Sequence, residues 1–223
     1  MFLKSTLDEA VYKELMKGFF DGSYVAGQRI DPTEISKKFG VSKTPITQAL
    51  KRMENEGLLS CTKGGKYYVP YCKEQDVREV CYVRLLFEQE AVKYLIENSA
   101  DEQIEILEKG ALACQNLVEK GEYIESIYED LDWHKTLVGF MGNRFVDQVY
   151  MLAKNKLLAM NYISSFKHDF QKGAAKEHLE IVAGLKERDE DKTINLLKRH
   201  IETIKERLVS YAKEHHDSNH GFL

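Results

Sequence analysis

Apolar residues recur every three or four positions along most of the chain, and this helical period gives way to alternation in one stretch only, between residues 59 and 69. Leu7, Val11, Leu15 and Phe19 form the first stripe. They predict a helix entered through the capping signature Ser5-Thr6-Leu7-Asp8 and ended by Gly18 and Asp21-Gly22. A second helix is predicted from Asp31-Pro32-Thr33-Glu34 to Phe39-Gly40: Asp31 can cap, Pro32 suits the first helical position and Glu34 can close a capping box. A third follows Val41, with Ser42 as N-cap, Pro45 in the first turn, and Ile46, Ala49, Leu50 and Met53 on its apolar face; Gly57 ends it. Leu59-Ser60-Cys61-Thr62 and Tyr67-Tyr68-Val69 then flank Lys63-Gly64-Gly65-Lys66, the pattern of a β-hairpin whose Gly-Gly turn permits positive φ.

After Val69-Pro70-Tyr71 the helical period returns for the rest of the chain. Six helices are predicted at about 74–99, 101–120, 122–141, 143–171, 173–187 and 190–214. All three prolines, at 32, 45 and 70, precede them, which sets a domain boundary near residue 72. The fold expected is therefore mainly α. Residues 1–72 form a winged helix-turn-helix of three helices plus a β-hairpin, and residues 73–223 an antiparallel bundle of about six helices.

Composition narrows the class: 43% hydrophobic and 30% charged residues are those of a soluble globular protein. No apolar run approaches the roughly 20 residues of a membrane-spanning helix, and Met1-Phe2-Leu3-Lys4-Ser5 lacks the apolar core of a signal peptide. A cytoplasmic location without a membrane partner is expected. Cys61, Cys72, Cys81 and Cys114 form no C-x-x-C pair and are expected to be reduced and structural.

The net charge of −4 hides an asymmetry: residues 1–72 carry 11 Lys and Arg against 8 Asp and Glu, whereas residues 73–223 carry 21 against 28. Between residues 35 and 66 the ratio is seven to two. A basic amino-terminal unit is a candidate nucleic-acid face, because neutralising phosphates with Lys and Arg supplies most non-specific affinity. By position the third helix is the recognition helix. Its first turns offer Lys43, Thr44, Thr47 and Gln48, and the wing offers Lys63, Gly64 and Lys66, all able to reach phosphates or base edges. Geometry alone equally allows a small helical subdomain with a solvated lysine face.

The run from Asp31 to Val69 resembles the winged helix of the GntR family of regulators. Val41, Ser42, Thr44, Pro45, Ala49 and Leu50 match that family's recognition segment, and a Gly-containing wing follows. Four positions depart from it: Lys43 and Thr47 replace two arginines, Gln48 a glutamate, and Ala26-Gly27 a Pro-Gly. Arginine grips guanine with two parallel hydrogen bonds and threonine cannot, so Thr47 implies a different operator sequence or a lower affinity.

In the second domain, Asp130 and His134 stand at i, i+4 on one helical face, and His178 and His200 fall on the last two helices. Three imidazoles and a carboxylate from three helices can converge on a divalent transition metal; the same spacing equally suits a plain salt bridge. The domain is similar to the all-helical effector domain of the FadR-type branch of the family, with its D-x-x-x-H element, Gly142-Asn143, two later histidines, and an R-x-x-x-E element at Arg84 and Glu88. The resemblance implies that Asp130, His134, His178 and His200 hold zinc, nickel, manganese or iron. It implies further that Arg84 and Asn143 contact a small carboxylate effector. From the residues alone, Arg84 either points inward to an anion or pairs with Glu88, and Asn143 either caps a helix or meets the effector. His168, His215, His216 and His220 are expected to be solvated.

Together these readings predict a homodimeric repressor of a double-stranded DNA operator, modulated by a small carboxylate at a metal site. Two rivals are a metal-dependent enzyme using the same His/Asp site, and a helical module that binds nucleic acid without specificity. The chain has no H-E-x-x-H, G-x-S-x-G or phosphate-binding glycine loop to favour the enzyme.

Overall fold

The computed structural model describes residues 7–20, 23–98, 100–164 and 169–216, without the side chains of residues 19–20, 162–164, 169–171 and 215–216. The chain divides into two units, Met1–Cys72 with Leu158–Phe166, and Lys73–Leu157 with Lys167–Leu223. Ser5-Thr6, Asp21-Gly22, His168 and His220 lie outside the described residues, as do the side chains of Phe19, His215 and His216.

The first unit contains α1 (Leu7–Phe20), β1 (Arg29–Ile30), α2 (Pro32–Phe39), α3 (Lys43–Asn55), β2 (Ser60–Cys61) and β3 (Tyr67–Tyr68). Helices α1 and α2 both pack on α3, whose Ile46, Ala49, Leu50 and Met53 are buried as the periodicity requires. The buried stripe of α1 differs from the expected one. Val11, Tyr12, Leu15 and Met16 face inward, while Leu7 is 54% exposed at the first turn. Asp31 caps α2 by accepting a hydrogen bond from the Thr33 N–H at 2.8 Å, and Gly40 ends it at φ 67°. Ser42 occupies the N-cap position of α3 with extended backbone but makes no side-chain capping bond.

The expected hairpin is part of a three-stranded antiparallel sheet of order β1-β3-β2, with Arg29 opposite Tyr68 and Ser60 opposite Tyr68 on the other side. Two residues are too few to show alternation, so β1 left no signal in the sequence. The wing turns at Thr62–Gly65, where the Gly65 N–H bonds the Thr62 carbonyl at 2.9 Å; Gly65 sits at φ 73°, a conformation side chains disfavour.

The second unit is built from six helices, α4 (Glu74–Asn98), α5 (Asp101–Glu119), α6 (Tyr123–Gly139), α7 (Arg144–Ser164), α8 (Asp169–Lys186) and α9 (Glu190–His216), of which α7 belongs to it as far as Leu157. Helix α4 lies along α9, α5 packs on both α6 and α8, and α8 packs on α9. The described part of α7 reaches Ser164 and that of α8 starts at Asp169, so residues 169–171, expected in the fourth bundle helix, stand in the fifth; residues 165–168 lie outside the described residues. Gly184 allows the close approach of α8 and α9, since a β-carbon there would stand 2.4 Å from Thr193 Oγ1. That approach sets two site histidines facing one another. Among the described residues no helix is long and apolar enough to cross a membrane, and all four cysteines are free.

Candidate nucleic-acid interface and buried ligand cluster

In the first unit, Lys43, Thr44, Thr47 and Gln48 are all exposed on the first turns of α3, as are Lys63, Gly64 and Lys66 on the wing. The first turn of α3 holds no acidic residue, so its backbone dipole and Lys43 present positive potential together. Thr47 Oγ1 donates to the Lys43 carbonyl at 2.9 Å. Its hydroxyl proton is thereby engaged, leaving lone pairs and a methyl group for a partner, where arginine would offer donors. Lys51, one turn beyond Thr47 and Gln48, is also exposed on this face. Sequence reasoning passed over it, although the spacing 44, 47, 48, 51 marks it. Arg52 belongs to the scaffold: it bonds Glu9 at 2.6 Å and Glu56 at 3.0 Å and lies 3.8 Å from the Tyr12 ring centroid.

In the second unit, one ligand atom each from Asp130, His134, His178 and His200 lies within 4.8 Å of the others. Helix α6 supplies Asp130 and His134, α8 His178 and α9 His200. The three histidines are buried at 0% exposure, whereas Asp130 keeps 16% of its side chain in solvent. His134 Nε2 stands 3.0 Å from His200 Nε2 and 3.1 Å from His178 Nε2, and Asp130 Oδ1 is 3.3 Å from His178 Nε2.

The surroundings orient these rings. Glu88 Oε2 lies 2.8 Å from His134 Nδ1, and Glu177 Oε2 lies 2.9 Å from His200 Nδ1. Each carboxylate draws the Nδ1 proton to itself and leaves the Nε2 lone pair directed at the centre. The His178 ring is fixed by stacking on Trp133 at 4.4 Å and 12°, and the Trp133 Nε1–H donates to the Leu107 carbonyl at 2.8 Å. Glu88 also accepts from Arg84 Nε at 2.7 Å and from the Tyr150 hydroxyl at 2.6 Å. Burial would raise the Glu88 carboxyl, but Arg84 and His134 outweigh it and hold it well below the usual range. Burial drives His134 down to about 4, with Arg84 adding to the fall. His178 is pushed well below its ordinary value by burial first and then by the two neighbouring imidazoles.

Glu88 and Glu177 hold the Nδ1 atoms of His134 and His200, so their Nε2 atoms face each other at 3.0 Å with His178 Nε2 at 3.1 Å from the first, an arrangement that a cation among the three nitrogens would satisfy. The spacing fits one: ligands about 2.1 Å from an ion and at right angles to each other are about 3.0 Å apart. Charge fits as well, since Glu88, Asp130 and Glu177 give three carboxylates against the single guanidinium of Arg84. Borderline imidazole with carboxylate is the donor set of divalent transition metals.

Arg84 resolves both readings of its position at once: it points inward, fully buried, and pairs with Glu88. Its Nη1 and Nη2 make no hydrogen bond among the described residues. Asn143 is exposed, and its Oδ1 accepts from the N–H groups of Phe145 at 3.0 Å and Val146 at 3.3 Å. It is the N-cap of α7, the first of the two readings its sequence left open. The orienting roles of Glu88 toward His134, of Glu177 toward His200 and of Tyr150 toward Glu88 were not foreseen. Only Glu177, adjacent to His178, left a hint in the sequence.

Comparison with known proteins bears on both units. Residues 79–203 match the FCD domain, and residues 7–69 match the bacterial regulatory proteins of the gntR family. The HTH-type transcriptional regulator YdhC of Bacillus subtilis is 34% identical over 134 residues, a stretch covering 60% of this chain and 60% of that protein. The transcriptional repressor NanR of Klebsiella aerogenes is 24% identical over 223 residues, 90% of this chain and 85% of its own. McbR/YncC of E. coli shares the fold with a TM-score of 0.64 at 18% identity, over 96% of this chain and all of the other. With a gntR winged helix in its first unit and an FCD domain in its second, the chain belongs to the GntR family of bacterial regulators and is a DNA-binding transcriptional regulator, not an enzyme.

Proposed function

We propose that the protein is a cytoplasmic homodimeric repressor whose grip on a pseudo-palindromic operator is set by a small carboxylate received at a metal centre in the bundle. The observation that carries this reading is the meeting of four ligand atoms within 4.8 Å beside a buried guanidinium with two unpaired nitrogens. A buried Arg nitrogen without an acceptor is costly, and a carboxylate is the geometrically matched relief. Asp130, His134, His178 and His200 hold the ion, and Glu88 and Glu177 keep His134 and His200 in the ligating tautomer. A bound divalent ion supplies positive charge with positions left over for an exogenous oxygen ligand. Arg84 meets the far side of that ligand.

On DNA, Lys43 and the amino end of α3 neutralise phosphate while Thr44, Thr47 and Gln48 face base edges, and Lys63 and Lys66 flank them from the wing. Two copies place two α3 helices about one helical turn apart. Regulation then requires that the effector bind the DNA-competent and incompetent states with different affinity, commonly by about 1–3 kcal/mol. Repression is the sign chosen because the NanR relatives carry that name.

Selection of genomic fragments by the purified protein at about 0.15 M salt tests the DNA half. A few enriched sites sharing a short palindrome are expected; uniform recovery would overturn it. Metal analysis of the same preparation, expected at one equivalent per chain, tests the other half, and a metal-free protein that also fails to bind added Zn, Ni, Mn or Fe would overturn that.

A further inference from the structure

The three buried histidines are not held alike. Glu88 stands 2.8 Å from His134 Nδ1 and Glu177 stands 2.9 Å from His200 Nδ1. His178 Nδ1 is also buried, and among the described residues it has no hydrogen-bond partner. No polar group therefore fixes the outer edge of this ring. Its Nε2 must nonetheless point as accurately as the other two, for it lies 3.1 Å from His134 Nε2 and 3.3 Å from Asp130 Oδ1. What covers the ring is an indole. Trp133 stacks on His178 with centroids 4.4 Å apart and planes 12° from parallel, and stands at right angles to the His134 ring 4.9 Å away.

We infer that Trp133 is a positioning residue of the metal centre, doing for His178 by stacking what a carboxylate does for each of the other two histidines; the assignment rests on the metal reading above. The indole is itself held by a helix that provides none of the four ligands. Its Nε1–H donates to the Leu107 carbonyl of α5 at 2.8 Å, and a β-carbon added at Gly110 of the same helix would stand 3.1 Å from Trp133 Cδ1. The hydrogen bond fixes which way the indole faces, because turning it over would leave its buried N–H without an acceptor. The absent side chain at Gly110 leaves room for the ring where it stands. Stacking sets the plane of the His178 ring but, unlike a carboxylate, does not hold a proton on Nδ1. His178 is thus the ligand whose aim depends on packing, and α5 reaches the ion through it.

A double-substitution cycle on the full chain tests this, read by calorimetric titration with whichever of Zn, Ni, Mn and Fe the wild type binds most tightly. Trp133→Leu is expected to weaken metal binding about 10- to 100-fold, the range of a lost outer partner. In a His178→Ala background the same change is expected to cost less than about threefold, because no ring remains to be positioned. In a Glu177→Ala background, where the His178 ring remains, it is expected to keep its full factor. Trp133→Phe, which keeps a flat ring without the N–H anchor, is expected to recover most of the affinity that Trp133→Leu loses.

Gly110→Ala makes the same test from α5 should Trp133→Leu fail to fold. Alanine favours a helix more than glycine does, so weaker metal binding with undiminished helical circular dichroism reports a displaced indole. That loss too is expected to vanish with His178→Ala. Equal factors with and without the His178 ring, for Trp133→Leu or for Gly110→Ala, would make the indole a packing residue and overturn the assignment while the metal centre stands. A wild-type chain that binds none of the four ions overturns both.

Discussion

The two candidate sites of this protein are built in opposite ways. On α3 and the wing, the proposed DNA contacts are exposed side chains that share a scaffold but, apart from Thr47, lean on little else. In the bundle, Arg84, Glu88, His134, Tyr150, Glu177 and His200, from α4, α6, α7, α8 and α9, hold one another through hydrogen bonds that are buried except at Glu177, and only the two terminal nitrogens of Arg84 among these groups are left open. The first kind of site can change one residue at a time at modest cost. The second cannot, since a buried charge that loses its partner keeps its desolvation penalty without compensation.

Glu88→Ala puts that contrast under the greatest strain. It removes the partner of a guanidinium at 0% exposure and the orienting acceptor of His134 together. The variant is expected to lose about 3–5 kcal/mol of bundle stability, measured by urea unfolding followed through helical circular dichroism. Glu88→Gln, which keeps an acceptor, is expected to lose less. A loss under about 1 kcal/mol, the range of an exposed ion pair, would erase the distinction between the sites.

His178→Ala and His200→Ala come next. Each is expected to lower metal affinity beyond the roughly 10- to 100-fold that follows loss of an outer partner, and Glu177→Ala to fall within that range. Calorimetric titration with Zn checks the order. DNA binding by all three is expected to stay near wild type in the absence of effector, which separates the units. Full metal content in both histidine variants would sink the assignment of the ligands.

The same contrast explains how much of each site is legible in the amino-acid sequence. The helices of both units follow from apolar spacing, because burial acts residue by residue and leaves a local period. The exposed groups of α3 are legible for a related reason: once Ile46, Ala49, Leu50 and Met53 are placed inside, Lys43, Thr44, Thr47 and Gln48 have only the outside left. The ligand set needs more, since Asp130 and His134 at i, i+4 fit a salt bridge as well as a metal, and only resemblance joins them to His178 and His200. Glu88 shows where sequence stops. Its tie to Arg84 is local and visible, but its contact with His134 joins residues 46 apart and with Tyr150 residues 62 apart, and no period records such distances.

Lys43→Ala is a smaller perturbation. An exposed phosphate-reaching lysine is expected to contribute about tenfold in operator affinity, and its loss to reduce the salt slope by about one. Lys51→Ala is expected to behave alike if the contact face extends a turn further along α3. Filter binding over a salt series measures both. An unchanged slope in Lys51→Ala would confine the interface to the first two turns.

Asn143→Ala has the smallest expected effect and draws the line between the two kinds of position most finely, because Asn143 stands in the bundle yet behaves as an exposed group. Its Oδ1 satisfies two backbone N–H groups at the start of α7, so truncation is expected to cost about 1 kcal/mol of stability, read as a shift of the urea midpoint without change of slope. Asn143→Asp and Asn143→Ser, which also cap well, are expected to recover most of it. A residue that met the effector would give another pattern: unchanged stability, weakened effector response, and no rescue by serine. The cap geometry of Asn143 points to the first outcome.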